Sequence, residues 1–191
     1  MNKLAQLHII FLFVLALLLG TSLLKDFGVD QKLSGAVVGA NTETGVTVPE
    51  GKLYKVLEVV DGDTIGVAID GEVRKVRFIG MDTPETRKPN TPVQCFGKEA
   101  SAYTTKLLAS KNVVLKNDPT QAKEDRYGRM LAYVYTEDGI FVNKKLVEDG
   151  YAFEYTYNVP YQFQKEFKTA ERLARENGKG LWAADTCKGV R

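Results

Sequence analysis

The chain has 191 residues, 26 Lys and Arg against 24 Asp and Glu, and a net charge of +2, with 44% hydrophobic and 26% charged residues. This composition excludes a disordered or collagen-like chain, and the slight basicity permits a nucleic-acid partner without requiring one. The single histidine, His8, sits beside an apolar N-terminal run, and the two cysteines are Cys95 and Cys187, so histidine catalysis and histidine metal sites are excluded from the folded part. A thiolate zinc site is nearly excluded as well. Chemistry must therefore run on carboxylates, Arg, Lys, Tyr, Ser or Thr, and a metal would be a hard cation held by oxygen.

Residues Ile9–Leu19 are eleven consecutive apolar residues, and Leu4–Leu24 gives 21 without a charge. With Lys3 as a positive flank, this fits a secretory signal or an N-terminal membrane anchor. Gly20-Thr21-Ser22 is a small-residue candidate for cleavage. Residues 25–50 are rich in Gly, Val, Thr and polar types without a sustained period, and read as a flexible linker. Residues 51–191 then form one domain, large enough to bury a core. Either reading of residues 1–24 places that domain outside the cytoplasm, secreted or held at the membrane. There a Cys95–Cys187 disulfide can form, stabilising the fold by roughly 4–5 kcal/mol in the chain-entropy picture. The alternative is two unpaired thiols.

Lys52–Asp61 is rich in Val and Leu and predicts a strand. Asp63–Ile69 alternates Ile65, Val67 and Ile69. Asp70-Gly71 is a hairpin signal, and Glu72–Ile79 completes a three-stranded meander. Thr83–Phe96 holds three prolines and predicts a loop. From Gly97 the spacing of Ala100, Tyr103, Thr104, Leu107 and Leu108 predicts a helix. Asn112–Lys116 and Met130–Thr136 are further strands. Asn143 is placed to cap a short helix ending at Gly150, and a last helix is expected from about Pro160 to Asn177. Five strands with a helix between the third and fourth suit an α+β fold built on an OB-type barrel with three helices. The runs alone also permit another α+β arrangement.

Four clusters carry candidate chemistry: Asp61-Gly62-Asp63-Thr64, then Arg77, then Asp82-Thr83-Pro84-Glu85-Thr86, then Asp125-Arg126-Tyr127-Gly128-Arg129. Asp63 and Asp82 fall at the same end of the meander, where paired carboxylates call for a cation or a shared proton. Pro84 pushes Thr83 into an extended conformation that presents its carbonyl as a further ligand. Glu85 is placed to accept a proton from water. Arg77 and Arg129 supply guanidinium forks suited to a phosphate. Tyr127, Tyr155 and Tyr157 are candidates for stacking on bases or bonding phosphate oxygens. Each cluster taken alone is equally satisfied by turn chemistry, surface pairing or core packing.

Together the strings VVDGDTI, VRFIGMDTPET, FGKEASAYTTKLL, DRYGRMLAYVY, VNKKLVEDGYA and KGLW resemble the thermonuclease family, with its staphylococcal-nuclease-like fold, over about Tyr54–Trp182. The resemblance implies a five-stranded OB barrel with three helices. It implies a hydrolase, a calcium-dependent endonuclease cutting DNA and RNA and leaving 3′-phosphate ends, with single-stranded substrates preferred and no obligate protein partner. By position, Asp63, Asp82 and the Thr83 carbonyl match the Ca²⁺ ligands. Arg77, Glu85 and Arg129 match the catalytic set, and Arg126, Tyr127, Tyr155 and Tyr157 the substrate contacts. Arg126 stands where the best-known member carries lysine. The competing expectation is a non-catalytic OB module that binds single-stranded nucleic acid.

Overall fold

The computed structural model describes residues 48–86 and 92–190. The predicted signal or anchor segment, most of the linker, and residues 87–91 of the proline-rich loop lie outside the described residues. Among the described residues no helix is long and apolar enough to cross a membrane.

Among those residues, seven strands and three α-helices follow in chain order: β1 (Leu53–Asp61), β2 (Thr64–Ile69), β3 (Glu72–Phe78), β4 (Met81–Asp82), α1 (Gly97–Leu108), β5 (Asn112–Lys116), β6 (Met130–Thr136), α2 (Val142–Glu148), β7 (Phe153–Glu154) and α3 (Gln164–Glu176). Five strands close into a barrel in the order β1-β2-β3-β6-β5. Closure needs β1 to pair with β2 along one stretch and with β5 along another. Two register shifts in β1, at Val56/Glu58 and Val59/Asp61, accompany that change of partner, as bulges do where a barrel strand bends. The β2–β3 turn is made by Asp70 and Gly71, both with positive φ, the conformation that a two-residue hairpin with native twist demands.

Alternation along the strands turns Ile65, Val67, Val76, Phe78, Val113 and Val134 inward, all fully or almost fully buried. Leu108 from α1, Leu146 from α2 and Phe167 from α3 close on the same core. The stripe expected on the last helix is present as Phe167, Ala170 and Ala174.

Two expectations are corrected, and one unpredicted element is found. Asn143 is not a cap: Phe141 holds that position, and Asn143 lies inside α2, fully buried. Its amide oxygen accepts from the Val134 N–H (2.8 Å), and its NH₂ donates to the Ile79 and Ala132 carbonyls (3.0 and 3.1 Å). Those tertiary partners outweigh a local cap. The last helix begins at Gln164 rather than Pro160, because the preceding residues bond elsewhere. The Gln162 N–H donates to Asp118 (2.7 Å) and the Tyr161 hydroxyl to the Gly80 carbonyl (3.1 Å). Finally, β4 and β7 form a separate two-stranded ribbon, Met81 opposite Glu154 and Asp82 opposite Phe153. Two-residue strands are too short to leave a period in the sequence.

Asp118 is the second buried polar node. It accepts from the Tyr133 hydroxyl, the Gln162 N–H and both the N–H and hydroxyl of Thr120. Burial alone would raise its carboxyl, but these donors outweigh it and hold the group below its ordinary value of 3.8.

Both nodes can be tested by substitution. Asn143→Ala removes the side-chain partner of the Val134 N–H and of the Ile79 carbonyl, while the Ala132 carbonyl keeps the Ile79 N–H (3.1 Å), and should lower unfolding stability by roughly 2–4 kcal/mol; a urea titration showing under about 1 kcal/mol would remove Asn143 from this role. A carboxyl lowered by folding stabilises above its unfolded pKa and loses that contribution as pH falls through its folded value. The stability deficit of Asp118→Asn should therefore be largest near neutral pH and shrink well below about pH 4. A constant offset across that range would refute the assignment.

Candidate active site

The β2–β3 register places Thr64 opposite Arg77, and the Phe78 N–H donates to the Asp63 carbonyl at 2.9 Å. Arg77 therefore meets the residue just before β2. One guanidinium nitrogen bonds Asp63 and the other bonds Asp82. The Arg77 side chain is 18% exposed, Asp63 4% and Asp82 26%, so the pair of contacts sits at the edge of the core and not in open solvent. Burial works against a charged guanidinium, but the two carboxylates more than offset it and hold the Arg77 pKa above its ordinary value.

Asp63 has further donors beside Arg77. Its Oδ1 also accepts from the Thr64 hydroxyl (2.8 Å), and its Oδ2 from the Thr83 N–H (3.2 Å) and hydroxyl (3.1 Å). Thr83 is thus fixed against Asp63. The Gly62 carbonyl of the same turn accepts from the buried Thr104 hydroxyl of α1 at 2.7 Å.

Asp61 joins this cluster to Glu85. Its Oδ1 accepts from the Gly62 N–H and the Thr86 hydroxyl, both at 2.8 Å, and the Thr86 N–H donates to Glu85 Oε1 at 3.0 Å. Burial pushes the Asp61 carboxyl up to about 6, with Glu85 and Asp63 adding to the rise and the Gly62 and Thr86 donors opposing it. The backbone of Pro84–Thr86 in turn lies close against the start of α1. A Cβ built on Gly97 would stand 2.9 Å from Thr86 Cγ2, 3.0 Å from the Glu85 carbonyl oxygen and 3.1 Å from that of Pro84. Glycine at this position lets the helix start touch that backbone.

A cavity of about 540 Å³ opens beside the Arg77 fork. Arg77 and Asp82 form one wall, and Arg126, Tyr127, Arg129, Tyr155 and Tyr157 line much of the rest. The parallel β3–β6 pairing sets Val76 opposite Met130, which brings Arg129 to the same barrel end as Arg77. Arg129 donates through Nε and Nη2 to Asp125 Oδ2, each at 2.6 Å, and its guanidinium lies 5.4 Å from the Tyr127 ring centroid. The Arg126 guanidinium lies 4.8 Å from the same centroid and donates to the Tyr127 hydroxyl at 2.7 Å. Tyr155 is positioned by the β4–β7 ribbon, its N–H donating to the Gly80 carbonyl at 3.0 Å. Tyr127 and Tyr157 are largely exposed.

The structure thus brings Asp63, Arg77, Asp82 and Thr83 into direct contact and links Glu85 to them through Asp61. It places Arg77, Asp82, Arg126, Tyr127, Arg129, Tyr155 and Tyr157 around one cavity. Asp63, Thr83 and Glu85 do not line that cavity. Cys95 and Cys187 are joined in a disulfide with Cα atoms 5.9 Å apart. Asp125, Thr86 and Gln94 contact these residues as well: Asp125 bonds Arg129, Thr86 bonds Asp61 and Glu85, and the Gln94 side chain accepts from the Glu85 N–H. Asp125 and Thr86 fell within marked clusters, whereas nothing in the sequence singled out Gln94.

Among the described residues no three His, Cys, Asp or Glu side chains converge as a metal-binding group. The donor chemistry nonetheless fits a hard cation. Two carboxylates meet on a single guanidinium, the set is all oxygen, and two negative charges face one positive charge.

Residues 75–184 match the family described as Staphylococcal nuclease homologue. The match covers more than half of the chain. This protein belongs to the staphylococcal nuclease homologue family. It is 42% identical to Thermonuclease of Staphylococcus hyicus over 145 residues, which are 76% of this chain and 84% of that one. It is 42% identical to Thermonuclease of Staphylococcus intermedius over 132 residues, 69% of this chain and 77% of that one. Endonuclease YncB of Bacillus subtilis is 36% identical over 149 residues, 74% of this chain and 70% of that one. Within this family architecture, Arg77 is the residue that bonds both Asp63 and Asp82. Arg77→Ala should lower stability by roughly 3 kcal/mol, since it leaves Asp63 buried and without its counter-charge. A loss below about 1 kcal/mol in a denaturant titration would show that the fork is not what holds them.

Proposed function

We propose that the protein is a nuclease that hydrolyses the phosphodiester bonds of DNA and RNA, cutting as an endonuclease with single strands preferred and leaving 3′-phosphate ends. The observation that carries this reading is the pair of arginines, Arg77 and Arg129, on one cavity, with Arg77 also bonding Asp82, which lines it, and Asp63, which does not. The thermonuclease and endonuclease relatives support the same reaction class.

Asp63, Asp82 and the Thr83 carbonyl are the residues that would hold a Ca²⁺ ion. That ion would supply a hard positive charge against the phosphodiester and reverse the local sign of an acidic edge. Glu85 orients a water and takes its proton during in-line attack on phosphorus. Arg77 and Arg129 pair with the equatorial phosphate oxygens, and the pairing strengthens as negative charge builds in the transition state. Both guanidinium groups are already held by carboxylates, so little orientation entropy is lost when phosphate arrives. Neither arginine acts as a proton donor, because a guanidinium does not deprotonate at ordinary pH. Arg126 contacts a neighbouring phosphate, and Tyr127, Tyr155 and Tyr157 offer ring faces for bases and hydroxyls for phosphate oxygens. The apolar segment in residues 1–24 supports an extracytoplasmic location, with the domain secreted or anchored.

The test is hydrolysis of single-stranded DNA by the full chain in Ca²⁺, in EGTA, and with Glu85→Gln. Fragments with 3′-phosphate ends should appear in Ca²⁺ and disappear with EGTA, and Glu85→Gln should slow cutting at least about a hundredfold. DNA that stays intact in every tube while still binding the folded protein would favour the non-catalytic OB module instead.

A further inference from the structure

Glu85 reaches its place through a backbone held from two sides. On one side Thr86 and Asp61 fix the carboxylate end, as described above. On the other side stands Gln94. The Glu85 N–H donates to Gln94 Oε1 at 2.7 Å, and the Gln94 N–H donates to the Glu85 carbonyl at 2.9 Å. One residue thus satisfies both the donor and the acceptor of the Glu85 main chain.

Little burial holds Gln94 itself. Pro92, Val93 and Cys95 are exposed, and Gln94 is only half-buried. A stretch of chain with so little buried apolar surface opens easily. The next residue, however, is Cys95, bonded across a separation of 92 residues to Cys187. The Cys187 end is anchored. Cys187 is buried, and its carbonyl accepts from the Val190 N–H at 2.9 Å. The Gly189 N–H donates to the Leu181 carbonyl at 2.8 Å, and the Leu181 N–H to the Gly150 carbonyl at 2.9 Å, which ties this turn to the chain just past α2. Two residues past Cys95, Gly97 starts α1 directly against Pro84, Glu85 and Thr86.

We propose that Gln94 is a positioning residue for Glu85 and that the Cys95–Cys187 disulfide keeps it in register. The assignment rests on the nuclease reading, in which Glu85 acts on water. The crosslink removes the freedom with which the Gln94 segment would leave the Glu85 backbone. Losing it lets Glu85 wander by about an ångström, and displacements of that size cost up to about a hundredfold in rate. The cavity that binds the nucleic acid is walled by other residues, so binding is spared.

The experiment compares four forms of the full chain: oxidised, reduced with dithiothreitol, Gln94→Ala, and Cys95→Ser with Cys187→Ser. In the reduction, a dithiothreitol thiolate attacks the Cys95 sulfur and Cys187 leaves as thiolate. The second dithiothreitol thiol then closes its own disulfide, leaving two protein thiols. In all three altered forms kcat on single-stranded DNA should fall by about tenfold or more, with KM within about twofold of the oxidised protein. Amide exchange at Glu85 should quicken by at least about tenfold, while that of Val67 in β2 stays slow. In a Glu85→Gln background, adding Gln94→Ala should cost nothing further, because both changes act on the same group. The proposal is overturned by any of three results: unchanged Glu85 exchange after the disulfide is shown to be broken, an unchanged kcat, or equal losses in the Glu85 and Glu85→Gln backgrounds. An oxidised protein that binds but never cuts DNA would overturn the nuclease reading and this assignment with it, and is told apart by the absence of activity before reduction.

Discussion

Two carboxylates brought together at the rim of a barrel repel each other unless a positive charge stands between them. In this protein the Arg77 guanidinium does so, one nitrogen on Asp63 and the other on Asp82. The arrangement depends on hydrogen-bond register. Thr64 lies opposite Arg77 because the Asp70-Gly71 turn fixes the β2–β3 pairing, and a slip of one residue would send the guanidinium to the other face of the sheet. The same fork sets two negative charges against one positive charge. On the proposed reading, that imbalance is what would draw a hard cation and, through it, a phosphate.

The rest of the site is arranged around this fork by short, strongly constrained pieces of backbone. Gly80 has φ of +81°, and a Cβ there would lie 2.6 Å from the Tyr161 ring. Its freedom lets the chain turn from β3 into β4 while its carbonyl receives both the Tyr155 N–H and the Tyr161 hydroxyl. Tyr155 is therefore fixed relative to Asp82 through a ribbon of two residues on each side. Asp118 performs a comparable task elsewhere in the domain, gathering Tyr133, Gln162 and Thr120 on one carboxylate. Buried polar nodes of this kind specify one arrangement because every alternative leaves a charge without donors.

Much of the barrel was legible in the sequence. The alternation of Ile65, Val67 and Ile69, the Asp-Gly turn and the Val-rich runs are local signals, and local signals survive in the structure where they agree with the core. Asn143 and Pro160–Phe163 show the opposite case. Their local chemistry favours a cap and a helix, but distant backbone groups at Val134, Ile79 and Ala132, and the Asp118 carboxylate, bind them more strongly than their neighbours do. The β4–β7 ribbon left no trace, because two residues cannot display a period. Gln94 was invisible for a related reason: its partner is the Glu85 main chain, and a main chain has no sequence signature.

By itself the sequence determined which chemistry was available. With one histidine at the N-terminus and two cysteines, the domain had only carboxylates, guanidinium groups, amines, hydroxyls and phenols to work with, and that follows from counting alone. It also determined the barrel's strands, since strand periods and turn residues are properties of neighbours along the chain. Only the tertiary structure decided which carboxylates share Arg77, that Asp61 and Thr86 join Glu85 to them, and that Cys95 ties Gln94 to the C-terminal turn. Most of those contacts join residues far apart in the chain, and they exist only once barrel closure has brought the loops to the same end.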